Sequence, residues 1–285
     1  MNSFSINRFG QTLRWVLVTN YRNLLAWTLG AAVGVFFLEM ILVAFTVQPD
    51  GGNYNSVLTY SISRICMVFL VIFVLVALST GFADYLKKAK REAFLMLPST
   101  NLEKFLAVVL YVTVVWSLAG FLAFAFGDTL RMAVRSLVYH NEWISTVPIV
   151  MDSLTPDGFH VAVNEPTYFT VTRLFSTLFL FVWIHSFYTL FSTLLRKYSF
   201  VVASLLLILT VTLTAWVSFQ KLHLRSFVVT TYNDGSPAYE VGVMGWLLCV
   251  ALPLLTVFNY WASFHIFKGF QLITNKWTNY DILKR

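Results

Sequence analysis

Charge is what this chain has least of. Only 12% of its 285 residues are Asp, Glu, Lys or Arg, while 58% are hydrophobic and 17% aromatic. A water-soluble domain carries about 25% charged residues, so the shortfall excludes a soluble body of this length. It also excludes a disordered chain, which would be rich in charge and poor in apolar residues. Cysteine is nearly absent. Cys66 and Cys249 both lie in apolar runs, with no CxxC spacing, and so define neither a disulfide framework nor a metal site. Proline occurs seven times and first at Pro49. Motifs of common hydrolases and nucleotide-binding enzymes are missing too: there is no HExxH, no GxSxG and no GxxxxGK[ST]. Neither a cofactor nor a metal is expected, and any ATP hydrolysis would belong to another chain.

What is present is a series of long apolar runs. A helix needs about 20 mostly apolar residues to cross the hydrocarbon of a bilayer. Six stretches meet this, at about 24–47, 65–84, 104–128, 171–195, 199–219 and 241–264. Each must be helical, because an isolated strand leaves its backbone groups unsatisfied in lipid. The expected fold is an all-α integral membrane protein with six spans, forming one transmembrane domain over residues 1–285.

Basic residues set the orientation. Arg8, Arg14 and Arg22 precede the first span; Lys87, Lys88, Lys90, Arg91 and Lys104 join the second to the third; Arg196 and Lys197 join the fourth to the fifth. Lys268, Lys276, Lys284 and Arg285 follow the sixth. The opposite side holds Arg131, Arg135, Lys221 and Arg225, with Arg64 and Arg173 at span edges. This asymmetry predicts both termini in the cytoplasm. The net charge of +7 then reflects a basic inner rim and not a nucleic-acid partner.

Outside the spans, Ile6, Phe9, Leu13, Val16, Leu17 and Tyr21 recur at helical spacing. They predict an amphipathic helix over 4–23 in the inner interface. Residues 85–103 predict helix, break and helix. The first part is basic and helix-favouring; Pro98 stops it; Thr100 and Glu103 match a T-x-x-E capping box that restarts a helix. Topology alone needs the charges, but not Glu92 or the apolar Phe94-Leu95-Met96-Leu97 run, so the segment reads as a docking surface. A large external loop is expected over 129–170, with short helices near Leu130–Ile144 and a turn at Thr155–Gly158. Asn233-Asp-Gly-Ser-Pro237, flanked by β-prone residues, predicts a hairpin.

Two ionisable residues fall inside spans, where such groups are costly. Glu39 has either a structural partner, for which Arg64 is the candidate, or a substrate-facing role. His185 is either hydrogen-bonded within the bundle or part of a proton relay.

The stretch Lys90-Arg-Glu-Ala-Phe-Leu-Met-Leu-Pro-Ser-Thr-Asn-Leu-Glu-Lys104 resembles the segment before the third span of ABC-2-type transporter permeases, in a form similar to six-span permeases of Bacteroidota. The exit of the last span, Tyr260-Trp-Ala-Ser-Phe-His-Ile-Phe-Lys-Gly-Phe-Gln271, is similar as well. Ala93-Phe94 stands where many members have Gly-Thr. The resemblance implies a permease subunit, an exporter, in a bacterial inner membrane. It implies a coupling segment at Arg91, Glu92, Leu97, Pro98 and Glu103 that seats in a separate ATPase subunit, and a second permease copy, identical or not. An ion-coupled secondary transporter and a non-transporting anchor or immunity protein are the alternatives.

Overall fold

A computed structural model describes residues 4–46, 57–82, 85, 88–139, 145–153, 166–195, 197–218, 227–231 and 237–269. The predicted turn at Thr155–Gly158 and the charged tail beyond residue 269 lie outside them.

Helix α1 runs from Ile6 to Thr46, 41 residues without interruption. At about 1.5 Å per residue it is about 60 Å long. The division into an interfacial helix ending at 23 and a span starting at 24 has no counterpart in a break of the backbone. No proline occurs before Pro49, and a helix without a breaker continues. Helix α2 spans Val57–Thr80, and the short α3 spans Lys88–Leu95. Helix α4 covers Asn101–Leu110, passes through a π-helical turn at Tyr111–Val115, and continues as α5, Trp116–Tyr139. Helical structure therefore extends well past residue 128, where the sequence reading ends the third span. Asp128 does not terminate it, because Arg131 one turn on bonds the carboxylate. Helix α6 is Val147–Ser153, α7 is Thr167–Leu194, α8 is Ser199–Trp216 and α9 is Val243–Lys268. Strands β1, Phe227–Thr231, and β2, Pro237–Val241, pair antiparallel with Phe227 opposite Val241, which is the expected hairpin.

Six helical stretches are long and apolar enough to cross a membrane. Large apolar side chains stand exposed along them, including Leu29, Val33, Phe37 and Ile41 on α1 and Leu205, Ile208, Leu209 and Val211 on α8. Such faces suit hydrocarbon, not water. The chain is a multi-pass helical membrane protein.

The chain divides into two compact units. One comprises Ser5–Ala77 and Leu106–His160. Here α1 and α5 lie side by side and run in the same direction: Trp27 meets Trp116 at 6.4 Å between ring centroids, and Glu39 meets Arg131 further along. Glycine allows this approach. A Cβ on Gly127 would stand 2.8 Å from the Ala32 carbonyl oxygen and 2.9 Å from Val35. Helix α2 runs the opposite way, bringing Cys66 to Glu39 and Phe73 to Trp116. Val35, Ile62, Cys66, Phe124 and Val150 form the buried core at the Glu39 end. Gly127→Ala is expected to cost about 1–3 kcal/mol by overpacking, despite alanine's better helix propensity. Thermal unfolding in detergent reads the loss, and an unchanged midpoint would contradict the close α1–α5 approach.

The other unit comprises Leu78–Phe105 and Val161–Arg285 with the first four residues. Helices α7 and α9 run in the same direction, joined by Ser176–Cys249 at 3.0 Å, Asn259–Ser186 at 3.1 Å and Tyr260–His185 at 2.6 Å. Small and polar residues at this seam let two backbones approach within lipid. Helix α8 returns against α7, where Tyr188 and Ser204 share a hydrogen bond of 2.8 Å. The hairpin rests on the start of α7: the Tyr168 hydroxyl donates to the Tyr239 carbonyl at 2.9 Å, and Phe169 packs on Phe227.

Candidate functional site

The segment from Tyr85 to Phe105 forms an elbow, and its sequence accounts for its shape. Helix α3 ends at Leu95, the chain turns through Met96–Ser99, and α4 begins at Asn101. The capping box forms reciprocally. The Thr100 amide donates to the Glu103 carboxylate at 2.7 Å, and the Glu103 amide donates to Thr100 Oγ1 at 3.2 Å. Both are otherwise orphan donors of a helix start. Two basic side chains brace the turn from inside: Lys104 Nζ donates to the Leu95 carbonyl at 2.8 Å, closing α3 onto α4, and Arg91 Nε donates to the Tyr85 carbonyl at 3.3 Å.

The elbow packs on the end of α9, and the end of α2 just before it is tied to α7 and α8. Tyr85 stacks on Phe94 at 4.5 Å, and Phe94 meets Phe267 of α9 at 6.1 Å. Phe105 contacts Phe82, Phe264 and Phe267 at 5.6 Å each. The Phe82 amide donates to Ser192 Oγ of α7 at 3.2 Å, and Ser199 Oγ of α8 donates to the Ser79 carbonyl at 2.6 Å. Phe94 is 1% exposed and Phe267 4%. The end of α2, the elbow, the end of α7, the start of α8 and the end of α9 thus meet.

The coupling residues expected from the sequence divide by burial. Arg91 and Glu103 are buried and hold the elbow's shape, so they offer no contact surface to a partner. Glu92 and Leu97 are half-buried, and Pro98 is exposed. Around them Ala93, Asn101 and Leu102 are exposed, and Met96 projects furthest, at 84% exposure. Met96 was not singled out by sequence reasoning, because an apolar residue in an apolar run gives no sign of which way it faces.

Glu39 lies in the other unit, and its partner is not Arg64. Its carboxylate is bonded to Arg131, Thr146 and Cys66, whereas Arg64 is exposed on α2. Arg131 Nε donates to Glu39 at 2.9 Å and to Asp128 at 3.1 Å, and a second Arg131 nitrogen bonds Asp128 as well. Thr146 donates its hydroxyl to Glu39 at 3.2 Å and its amide to Asp128 at 3.1 Å. Ser145 Oγ donates to Asp128 at 2.6 Å, and the Cys66 thiol donates to Glu39 at 3.3 Å. Glu39 and Asp128 are fully buried. Sequence reasoning placed Asp128 at a span end and counted Arg131 only toward topology. The available signal was their spacing, an acid and a base three residues apart on one helix face.

His185 shares a hydrogen bond with the Tyr260 hydroxyl, the structural arrangement weighed for it. Among the described residues, no three His, Cys, Asp or Glu side chains are grouped to hold a metal ion.

Fold and site define a class, a six-span helical membrane protein with a braced elbow between its second and third spans. Comparison with protein-family models, curated proteins and solved structures finds no match to this chain.

Proposed function

We propose that this chain is the membrane-spanning permease subunit of an ABC-2-type exporter in a bacterial inner membrane, with both termini in the cytoplasm. It pairs with a second permease copy and is driven by a separate ATPase subunit. The observation that carries the reading is the combination found in the elbow. Its inner face is welded to α9, and its outer face carries exposed Met96, Pro98 and Leu102 beside half-buried Glu92. A loop that served only to set topology needs basic residues and no such bracing.

The mechanism is mechanical. The ATPase grips the outer face. Movement of α3 passes through Phe94 to Phe267 and the end of α9, and through the Lys104–Leu95 bond to α4. Cargo moves because nucleotide-bound and nucleotide-free ATPase differ in affinity for the two permease states, which is the only way such a drive can shift an equilibrium.

The test is co-purification with a P-loop ATPase encoded beside this chain, followed by ATP-dependent transport in vesicles. Glu92→Arg reverses a charge beside the exposed face without entering the aromatic cluster and is expected to abolish the association. Undiminished binding by that variant would remove the proposed docking surface. Transport driven by an ion gradient without any ATPase would replace the reading altogether.

A further inference from the structure

The Glu39 cluster is more elaborate than helix packing requires. Three charged side chains are buried between α1 and α5, where burial of charge is expensive. Besides the Cys66 thiol of α2, the two carboxylates accept from one short piece of chain, Ser145 and Thr146 at the start of α6. Asp128 takes the Thr146 amide and the Ser145 hydroxyl, and Glu39 takes the Thr146 hydroxyl. Ser145 Oγ in turn accepts the Val147 amide at 3.1 Å. Helix α6 has seven residues, too few to be stable alone, so it is helical because it is docked.

Its apolar anchorage is small. Val150 is 1% exposed within the core formed by Val35, Ile62, Cys66 and Phe124, and Val147 packs beside it. Pro148 and Met151 on the same helix are exposed. Ile149 between them is half-buried, so the segment is held by one short apolar face and a set of hydrogen bonds. What lies beneath keeps its own cohesion without the segment, since Arg131 stays bonded to both carboxylates.

We infer that residues 145–153 are a detachable strap, latched over the α1–α2–α5 unit by Glu39, Asp128 and Arg131, and that its release uncovers Cys66. Cys66 is the reporter the protein already carries. Its thiol donates to Glu39, it is fully buried, and Val150 belongs to the same core cluster. The inference concerns this unit alone and stands apart from the ATPase reading.

The experiment is alkylation of the full-length Cys249→Ser protein by N-ethylmaleimide, with Cys66 the remaining thiol. Labelling in detergent micelles is expected to be at least tenfold slower than after denaturation in sodium dodecyl sulfate. Ser145→Ala with Thr146→Val removes both hydroxyl ties, together with the Ser145 acceptor of the Val147 amide, and touches no residue of α1, α2 or α5. It is expected to raise the labelling rate at least tenfold, with backbone amides of residues 27–39 as protected from hydrogen exchange as before. Labelling of the Cys249→Ser parent at the denatured rate, or a double variant that labels no faster than that parent, overturns the strap. So does a labelling rise accompanied by equal loss of protection over 27–39, since that is unfolding. Should the double variant fail to fold, exchange in the parent protein decides. Amides of 146–151 opening faster than those of 27–39 support a separate strap, and a common rate for both overturns it.

Discussion

Arg131→Met is expected to destabilise the protein by about 3–5 kcal/mol, on the order of 10 °C in Tm. Arg131 is the cation of a cluster with two buried carboxylates, Glu39 and Asp128, and one of its N–H groups serves both. Methionine fills similar space but leaves the carboxylates facing each other. The donors that remain to them, from Ser145, Thr146 and Cys66, are neutral. The cost is that of stranded charge, so it is expected to disappear when the charge does. Adding Glu39→Gln and Asp128→Asn to Arg131→Met should recover most of the lost stability, because a neutral, hydrogen-bonded set carries no unpaired ion. Arg131→Lys should fall between, since an ammonium keeps the charge but not the planar fork that bridges two acceptors. Thermal unfolding in detergent across the four proteins checks the series. A single Arg131→Met variant that melts with the parent would contradict the ionic account.

The second large effect concerns a residue that no partner can touch. Phe94→Ala removes a ring stacked on Tyr85 and packed against Phe267. Loss of a buried phenylalanine costs about 3–5 kcal/mol where the site cannot collapse. The cost is expected to fall on the elbow: α3 should lose protection from hydrogen exchange, and association with the ATPase subunit proposed above should weaken at least a hundredfold. Met96→Asp is the complementary variant. It places a charge on the most exposed side chain of the elbow, so association should fall similarly with no change in unfolding midpoint. A stiff elbow predicts that both variants lose the partner, for opposite reasons. A merely sticky loop predicts that only Met96→Asp does, and measured affinities of the two variants separate these outcomes.

Local signals are legible in the sequence because they depend on residues within a few turns of each other. The capping box is an example, since Thr100 and Glu103 are three residues apart and complete each other. The hairpin is another, its turn residues lying between two short β-prone runs. Chain breaks depend on more than local sequence. A change from amphipathic to uniformly apolar residues near Leu24 suggests two elements, but amphipathicity describes surroundings, and the backbone of α1 has no reason to stop there. At Asp128 a charged residue marks the end of an apolar run, and so of the expected span. A carboxylate held by an arginine one turn on is instead compatible with the helix that continues to Tyr139.

The sequence by itself determined the solvent this protein requires, the number of long apolar helices and the broken, capped form of the elbow, because hydropathy and capping are properties of short stretches of chain. Only the tertiary structure decided which side chains meet. Glu39 and Arg131 are separated by 92 positions, and their helices lie together because Gly127 lets α5 approach the Ala32 carbonyl. Arg64 is closer in sequence and equally charged, yet it stands exposed on α2. In a bundle of apolar helices the partner of a buried charge is chosen by which backbones can approach, and that follows from packing over the whole unit.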